Sequence, residues 1–249
     1  MALIGAGPVS AHFEILHPMI GLGILGFGIF MLALLFFPSL VGLFKYGAKK
    51  ANWLTLFCGL AAWGSIGALG YFSYLHPIND ITTDLQNPAK FLKPVFQFKV
   101  EKGGEFLDAS MQINRDYQKP MAAVQTAVYP DIGSGIVAQG PSHEAYTMGV
   151  SAVGAELRDW KLVLNDEKNQ HAEFEVESKV FRFVDDVVIE ARQNPDHPFQ
   201  SRLELRSRSR FGRSDLGVNA ARLRDLKIRL QLAVEPLEQI YKIKRQEWE

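Results

Sequence analysis

Two long uncharged stretches occupy most of the first third of the chain. No Asp, Glu, Lys or Arg occurs at positions 15–44 or at positions 51–79. Each stretch is longer than the roughly 18 uncharged, mostly apolar residues that are typical of a membrane-spanning helix. The pattern therefore predicts two transmembrane helices, at about Pro18–Phe44 and Trp53–Leu75. A cleaved signal peptide fits the first stretch poorly, because no Lys or Arg precedes it and the apolar run is too long.

Short alternating segments follow in the second half of the chain. Four of them have strand length and are bounded by turn residues: WKLVLND, HAEFEVESKVF, FVDDVVIEA and SRLELRSR. Strands joined by such short turns favour an antiparallel sheet. In the second segment, alternation is expected to turn Phe174 and its even-numbered neighbours toward the core, and Glu173, Glu175 and Glu177 outward.

Two segments of the same half have helical spacing. The first begins at Ser142, which is expected to cap the helix. Its predicted apolar stripe comprises Ala145, Met148, Ala152 and Ala155. The second is the last element of the chain; Asn219 or Asp215 is placed to cap its start, and Pro236 is expected to kink or break it. Its predicted stripe comprises Leu223, Leu226, Leu230, Ala233, Leu237 and Ile240.

These elements predict an α+β fold, in which two transmembrane helices precede an antiparallel sheet with flanking helices. Residues 1–78 are expected to form a two-helix membrane anchor, and residues 79–235 an exported α+β domain. Residues 236–249 are expected to form a C-terminal helical extension. The stretch from Ile78 to Pro94 contains Asn-Pro and Lys-Pro steps, and it is expected to be extended chain leaving the membrane.

The orientation in the membrane follows from three lysines. Lys45, Lys49 and Lys50 lie between the two predicted spans, whereas residues 1–17 contain no Lys or Arg. Short loops rich in Lys or Arg stay on the cytoplasmic side. The sequence thus places both termini and the soluble domain on the periplasmic side of a bacterial inner membrane, or on the lumenal side of a thylakoid-type membrane.

The amino-acid composition argues against several kinds of functional site. The chain has 27 basic and 27 acidic residues, which argues against a nucleic-acid-binding surface. Its single cysteine, Cys58, lies in the second span and excludes a cysteine-based metal site outside the membrane. His12, Glu14, His17 and His76 could meet near the membrane boundary, but the spacing is poor for joint metal ligation and favours interfacial polar residues. No cofactor is expected.

Four arginines within eight residues stand out near the end of the sheet. On a strand, Arg206, Arg208 and Arg210 share one face, where they repel one another unless an anion meets them. Residues 76–199 hold 19 acidic and 12 basic residues, a balance of −7; residues 200–249 hold 12 basic and 7 acidic residues, a balance of +5. Carboxylates of the domain are therefore the favoured partners, and an external anion such as a lipid phosphate is the alternative.

The candidate structural or anion-binding cluster includes these arginines and the turn that follows them. Its members are Asp185, Asp186, Arg206, Arg208, Arg210, Arg213, Ser214, Asp215 and Asn219. A catalytic constellation is not apparent, because the histidines of the domain have no Ser or Cys partner at a suggestive spacing. Asp185 and Asp186 are adjacent, so on a strand they face opposite ways and cannot act as a paired acid and base.

At these motifs the chain resembles an uncharacterised domain-of-unknown-function family of proteobacteria, cyanobacteria and chloroplasts. The shared segments are NDITTD (79–84), NPAKF (87–91), YPDI (129–132), FRFVDDVVIEA (181–191) and RSRSRFGRSDLGVNAARLR (206–224). The last of these is the most specific, and the two predicted spans lie outside the resemblance. The resemblance implies an α+β domain that is often membrane-attached or exported, and it implies no activity.

Two functions from different classes follow from the sequence. The first is a non-catalytic, membrane-anchored accessory or structural subunit of a larger membrane complex. Small residues of the second span, Ala61, Gly64, Ser65 and Ala68, are expected to pack the two helices together or against another subunit. The second is a binding or enzymatic module for an anionic lipid or lipid-like ligand at the outer face of the membrane. The expected partners are membrane lipids and other integral membrane subunits.

Overall fold

The computed structural model describes residues 5–6, 8–9, 18–93, 119–197, 199–212 and 214–246. Within these residues the chain divides into two compact units. The first contains the N-terminal helices up to Leu75 together with the turn Ser178–Phe183. The second contains residues 76–177 and 184–249.

The first unit is built on two helices, α1 (Pro18–Tyr46) and α2 (Trp53–Leu75), with a short 3₁₀ turn at Ala48–Lys50 between them. Both helices are long and apolar enough to cross a membrane. They approach closely at Gly59, where an added Cβ would lie 2.6 Å from the Cβ of Phe36.

The face of α2 that contacts α1 differs from the predicted small-residue face. Leu56, Gly59 and Ala62 are the buried residues of α2. Gly64, in contrast, has no atom within 4 Å of the position that a Cβ would take. The small-residue face therefore does not join the two helices to each other.

The second unit contains a six-stranded antiparallel sheet among the described residues. The strands are β1 (Asp80–Thr82), β2 (Ile136–Gln139), β3 (Trp160–Asp166), β4 (His171–Glu177), β5 (Val184–Gln193) and β6 (Gln200–Ser209). Their order is β1-β6-β5-β4-β3, and β2 also pairs with β6. The sequence predicts β3 to β6, but β1 and β2 are too short for a periodic signal, and β1 lies in the expected extended segment.

Three helices accompany the sheet: α3 (Lys119–Val128), α4 (Ser142–Glu156) and α5 (Val218–Gln246). The main core contains residues of one face of the sheet, such as Phe174, Val187 and Leu205, and residues of α4 and α5. The α+β class with an antiparallel sheet and flanking helices is thus confirmed.

Helix α4 differs from its prediction in two respects. Its buried residues are Ala145, Tyr146, Gly149 and Val153. This stripe is displaced from the predicted one because Gly149 lets the methyl groups of Leu203 and Leu230 approach the helix closely. Ser142 does not cap the helix, since Pro141 occupies the N-cap position and no side chain caps it. The hydroxyl of Ser142 instead donates to Oε1 of Gln170 at 3.3 Å.

Helix α5 continues through Pro236 to Gln246 without a break. The proline lacks an N–H for the carbonyl of Leu232, but Leu232 is 63% exposed, so water can replace the lost bond. Beyond the proline, Leu237 and Tyr241 belong to the core of the domain. Tyr241 and Val234 are buried where the sequence predicted Ile240 and Ala233.

Candidate functional site

Arg206 lies at the centre of the sheet face opposite the main core, and it is only 1% exposed. Its Nε and Nη2 donate to the two carboxylate oxygens of Asp80 at 2.9 and 2.8 Å. Its Nη1 donates to the carbonyl of Ala89 at 2.9 Å, and the guanidinium lies 4.8 Å from the ring centroid of Phe91. All three nitrogens of this guanidinium are therefore engaged within the domain.

Arg208 and Arg210, at the end of β6, lie on the same face. Arg210 binds Asp186 with two nitrogens, at 2.7 and 3.1 Å, and binds Glu175 at 2.7 Å. Burial would raise the pKa of Glu175, but the hydrogen bond from Arg210 outweighs it and lowers that pKa. Nε of Arg208 lies 3.7 Å from the carboxylate of Asp80.

A second polar network lies on the helix side of the same strands. Arg222 of α5 binds Asp185 at 2.7 Å and donates to the hydroxyl of Ser207 at 2.9 Å. The side-chain amide of the fully buried Asn219 donates to the carbonyl of Asn79 at 2.9 Å. Asp185 and Asp186 thus bind arginines on opposite sides of β5, in keeping with the alternation of a strand.

Asp215 caps the start of α5. Its two carboxylate oxygens accept from the backbone N–H groups of Gly217 at 2.9 Å and Asn219 at 2.6 Å. The hydroxyl of Ser214 accepts from the N–H of Leu216 at 3.2 Å. Burial raises the pKa of Asp215 against these hydrogen bonds. An external anion at this helix start would compete with the Asp215 carboxylate for the same donors. Arg213 lies outside the described residues.

The YPDI segment joins the beginning of the domain to α5. The ring of Tyr129 stacks on His76 at 5.8 Å, and its hydroxyl lies 2.7 Å from Nδ1 of that histidine. Burial raises the pKa of Tyr129 to about 12. Asp131 binds the Arg224 guanidinium with both oxygens, at 2.5 and 2.9 Å. Of the four polar residues expected near the membrane boundary, the other three (His12, Glu14 and His17) lie outside the described residues.

The charged face of the sheet is covered by residues 84–93, which the sequence did not indicate. Ala89 and Phe91 of this segment pack on Val188 of β5. The backbone N–H groups of Leu92 and Lys93 donate to Glu173, which is 2% exposed. Glu173 faces away from the main core, as predicted, but it is buried there because residues 84–93 cover it.

His171 lies beside this covering segment, between two carboxylates. Its Nε2 is 3.2 Å from Glu173 and its Nδ1 is 3.6 Å from Glu190. Burial acts to lower the pKa of His171, but the bonds to both glutamates outweigh it and raise that pKa to about 9. Burial would likewise raise the pKa of Glu190, yet His171 and Arg192 hold it at about 2.

His171 borders a cleft of about 340 Å³. Its lining residues are Asn87, Pro88, Lys90, Leu92, Asn169, His171, Glu190 and Arg192. Arg192 is held by Glu190 at 2.6 Å and by Asp84 at 2.8 Å. Sequence reasoning missed this cleft, because its residues come from three separate segments. The NPAKF motif supplies Asn87, Pro88 and Lys90 to the lining, but its pattern gave no sign that it folds over the sheet. Among the described residues, no group of three or more His, Cys, Asp or Glu side chains could hold a metal ion.

A family model described as "Protein of unknown function (DUF1499)" matches residues 80–230, more than half of the chain. The chain belongs to the DUF1499 family. The matched region of the DUF1499 domain begins at Asp80, the partner of Arg206, and ends in α5 at Leu230 of the core. A search of the curated proteins finds no match for this chain.

The segments on which the resemblance to the family rests meet one another in space. NDITTD supplies Asp80, and NPAKF supplies the carbonyl of Ala89 and the ring of Phe91, all to Arg206. FRFVDDVVIEA supplies the two aspartates to Arg210 and Arg222. The described arrangement is therefore chemically suited to fixing strands and helix together.

Proposed function

We propose that this DUF1499 protein is a non-catalytic, membrane-anchored accessory or structural subunit of a larger membrane complex. Its soluble domain stands on the non-cytoplasmic side, as the lysines of the α1–α2 loop indicate. The single observation that carries the proposal is the internal pairing of the family motifs. Arg206, Arg210 and Arg222 each bind carboxylates of their own domain, so these charges support a fold and leave no reactive centre among themselves.

The two long apolar helices supply the anchor. Their exposed apolar residues, among them Phe27, Leu35 and Leu60, are suited to lipid or to other membrane helices. Gly64 and Ala68 have the small-xxx-small spacing and are not used between α1 and α2. Such a face permits close approach of another transmembrane helix, and we assign it to the partner subunit.

The test is purification of the full chain in mild detergent, followed by mass spectrometry of cross-linked and uncross-linked samples. We expect a stoichiometric partner with wild-type protein and its loss when Gly64 and Ala68 are both replaced by Ile. Leu69→Phe is the matched control, because it enlarges another exposed position of α2 and should retain the partner. A solitary monomer with co-purified lipid in the wild-type sample contradicts the proposal.

Sidedness has a separate test. In a Cys58→Ala background, single cysteines replace Ala48 in the α1–α2 loop and Asp196 in the exposed turn after β5. A membrane-impermeant maleimide applied to spheroplasts should label position 196 and leave position 48 unlabelled until the cells are lysed. Labelling of position 48 in intact spheroplasts reverses the orientation.

The alternative, a module that binds an anionic lipid or lipid-like ligand, is favoured by the cleft beside His171. Three of its lining residues, Lys90, His171 and Arg192, carry or can carry positive charge. Lys90 is exposed and could reach an acidic headgroup. Co-purified lipid that is lost in Lys90→Gln and retained in Lys168→Gln, a change at another exposed lysine outside the cleft, would support this function.

A further inference from the structure

The turn between β6 and α5 presents apolar side chains to the outside. Leu216 is 40% exposed and Val218 is 49% exposed. Leu216 also has a φ of 58°, in the left-handed region that disfavours residues with a Cβ. The fold therefore holds a leucine outward in a conformation that glycine would adopt without strain. An exposed apolar residue kept in a disfavoured conformation points to a role outside folding.

The conformation of this turn is fixed by hydrogen bonds on both sides of Leu216. Asp215 accepts from Gly217 and Asn219, and Ser214 accepts from Leu216 itself. Asn219 is fully buried, so the residue after Val218 is anchored in the domain. Leu216 and Val218 are consequently presented by a rigid support, and ordering them costs little entropy when they meet a partner.

The turn lies against the residues with which the chain leaves α2. A Cβ on Gly217 would lie 3.0 Å from Nδ1 of His76, and His76 directly follows Leu75, the last residue of α2. The side-chain amide of Asn79 donates to the carbonyl of Gly212 at 2.7 Å. Because His76 is bonded to Leu75, the turn packs on the first residue of the chain after α2.

We propose that the turn Ser214–Val218 is a second membrane contact, which inserts Leu216 and Val218 into the headgroup region beside the end of α2. This rests on the proposed membrane anchoring. The occupant is lipid, because covalent continuity through Leu75 and His76 brings the turn to the lipid interface. Apolar side chains of a peripheral element bury about 5–10 Å deep at this boundary.

The test uses the full chain, with Cys58→Ala, in vesicles of phosphatidylethanolamine and phosphatidylglycerol. A polarity-sensitive fluorophore is attached at Leu216→Cys, or at Leu232→Cys as the control, an exposed position farther along α5. Lipids brominated near the headgroup should quench the fluorophore at position 216 and leave position 232 unquenched. Absence of quenching at 216, or equal quenching at both positions, overturns the proposal. Carbonate extraction of the same vesicles separates this outcome from a failure of anchoring, since a chain that is not anchored is released.

A second variant distinguishes the loss of a membrane contact from damage to the turn itself. Leu216→Gly relieves the strained φ, so its thermal midpoint should equal or exceed that of the wild type. With the fluorophore at Val218→Cys, the same glycine variant should lose most of the quenching by brominated lipid. A glycine variant that keeps its quenching in full contradicts a membrane role for Leu216. If position 216 is shielded only when another protein is added, and not by lipid alone, the proposal is overturned in favour of a protein partner.

Discussion

Arg206 and Asp80 form a buried two-point ion pair that fastens the first residue of β1 to the middle of β6. Their side chains are 1% and 4% exposed, and the two hydrogen bonds measure 2.9 and 2.8 Å. The pair joins two neighbouring strands through residues that are 126 positions apart in the sequence. It also joins β1, the strand that follows α2 in the chain, to the arginine-rich segment at residues 206–213.

Removal of one member of this pair should destabilise the domain strongly. Arg206→Met removes the guanidinium that binds both oxygens of the buried Asp80 carboxylate and leaves Arg208, at 3.7 Å, as a weaker counter-charge. Asp80→Asn replaces the carboxylate that accepts two hydrogen bonds from the buried Arg206 guanidinium with a neutral amide. Breaking a buried pair from one side costs about 3–5 kcal/mol. Urea unfolding of the full chain in mild detergent measures this change in the free energy of unfolding.

Arg202 provides the matched control for that experiment. It lies on the same strand and the same face, but it is 55% exposed and 3.8 Å from Glu204. Arg202→Met should therefore cost no more than about 1 kcal/mol. Equal losses from the changes at positions 202 and 206 would contradict the special role of the buried pair.

Gly135 permits a close approach between the chain before β2 and Glu204. A Cβ at this position would lie 2.6 Å from both carboxylate oxygens of Glu204 and from the carbonyl of Leu203. Gly135→Ala should accordingly destabilise the domain by about 1–3 kcal/mol. Gly154→Ala, at a position of α4 where an added Cβ would meet no neighbouring group within 4 Å, should instead stabilise the domain by up to about 1 kcal/mol. Thermal melts that move in the same direction for both variants would refute this explanation.

The stability of the domain should decrease as the pH rises from about 6.5 to about 9. The pKa of His171 is raised from 6.5 to about 9, so its protonated form is favoured in the folded state. That contribution is complete below pH 6.5 and is lost as the pH passes 9; it amounts to at most about 3 kcal/mol. The groups that face the ring are Glu173 and Glu190, with Arg192 behind Glu190.

His171→Gln should remove the expected decrease in the free energy of unfolding between pH 6 and pH 9.5. His143→Gln, at an exposed position of α4, should leave the slope as it is in the wild type. On the acid side, the pKa of Glu190 is held at about 2, so its contribution is present above pH 4.5 and declines toward pH 2. Parallel curves for wild type and His171→Gln would exclude His171 as the source.

The end of α5 should prove to be an integral part of the domain. Tyr241 is 6% exposed, its hydroxyl donates to Glu144 at 2.8 Å, and its ring lies where a Cβ on Gly140 would be. Tyr241→Ala should cost about 3–5 kcal/mol, as large aromatic truncations in a core do. Ile240→Ala, at a 45% exposed neighbour, should cost less than about 1 kcal/mol. A negligible effect of Tyr241→Ala would make residues 236–246 a separate extension.

The sequence predicts the long elements well, because their apolar periods are sustained. The strand WKLVLND was predicted with the bounds of β3, and the two uncharged stretches correspond to α1 and α2. Strands β1 and β2, of three and four residues, have no such period. The shift of the buried stripe in α5 from Ile240 to Tyr241 has another cause: both residues are apolar, and only the close contact with Gly140 selects one.

The sequence indicates that the arginines bind carboxylates, but it does not identify all of the carboxylate residues that they bind. The charge balance indicated internal carboxylates, and the neighbouring strand suggested the Asp185-Asp186 pair. The principal partner of Arg206 is Asp80, which lies in a segment that was expected to be an extended linker. The cleft beside His171 depends on the fold of residues 84–93 over the sheet, and no local pattern in that segment reports such a long-range contact.

The position of Asp185 and Asp186 on opposite faces bears on how the sheet assembles. A slip of β5 by one residue would carry every side chain to the other face. Asp185 would then leave Arg222, Asp186 would leave Arg210, and Val187 would move from the core to the charged side. A misaligned strand loses its partners on both faces at once, and no single compensating contact restores them. The two adjacent carboxylates thus favour the observed register of β5 over a one-residue slip, because both lose their arginine partners in the slipped sheet.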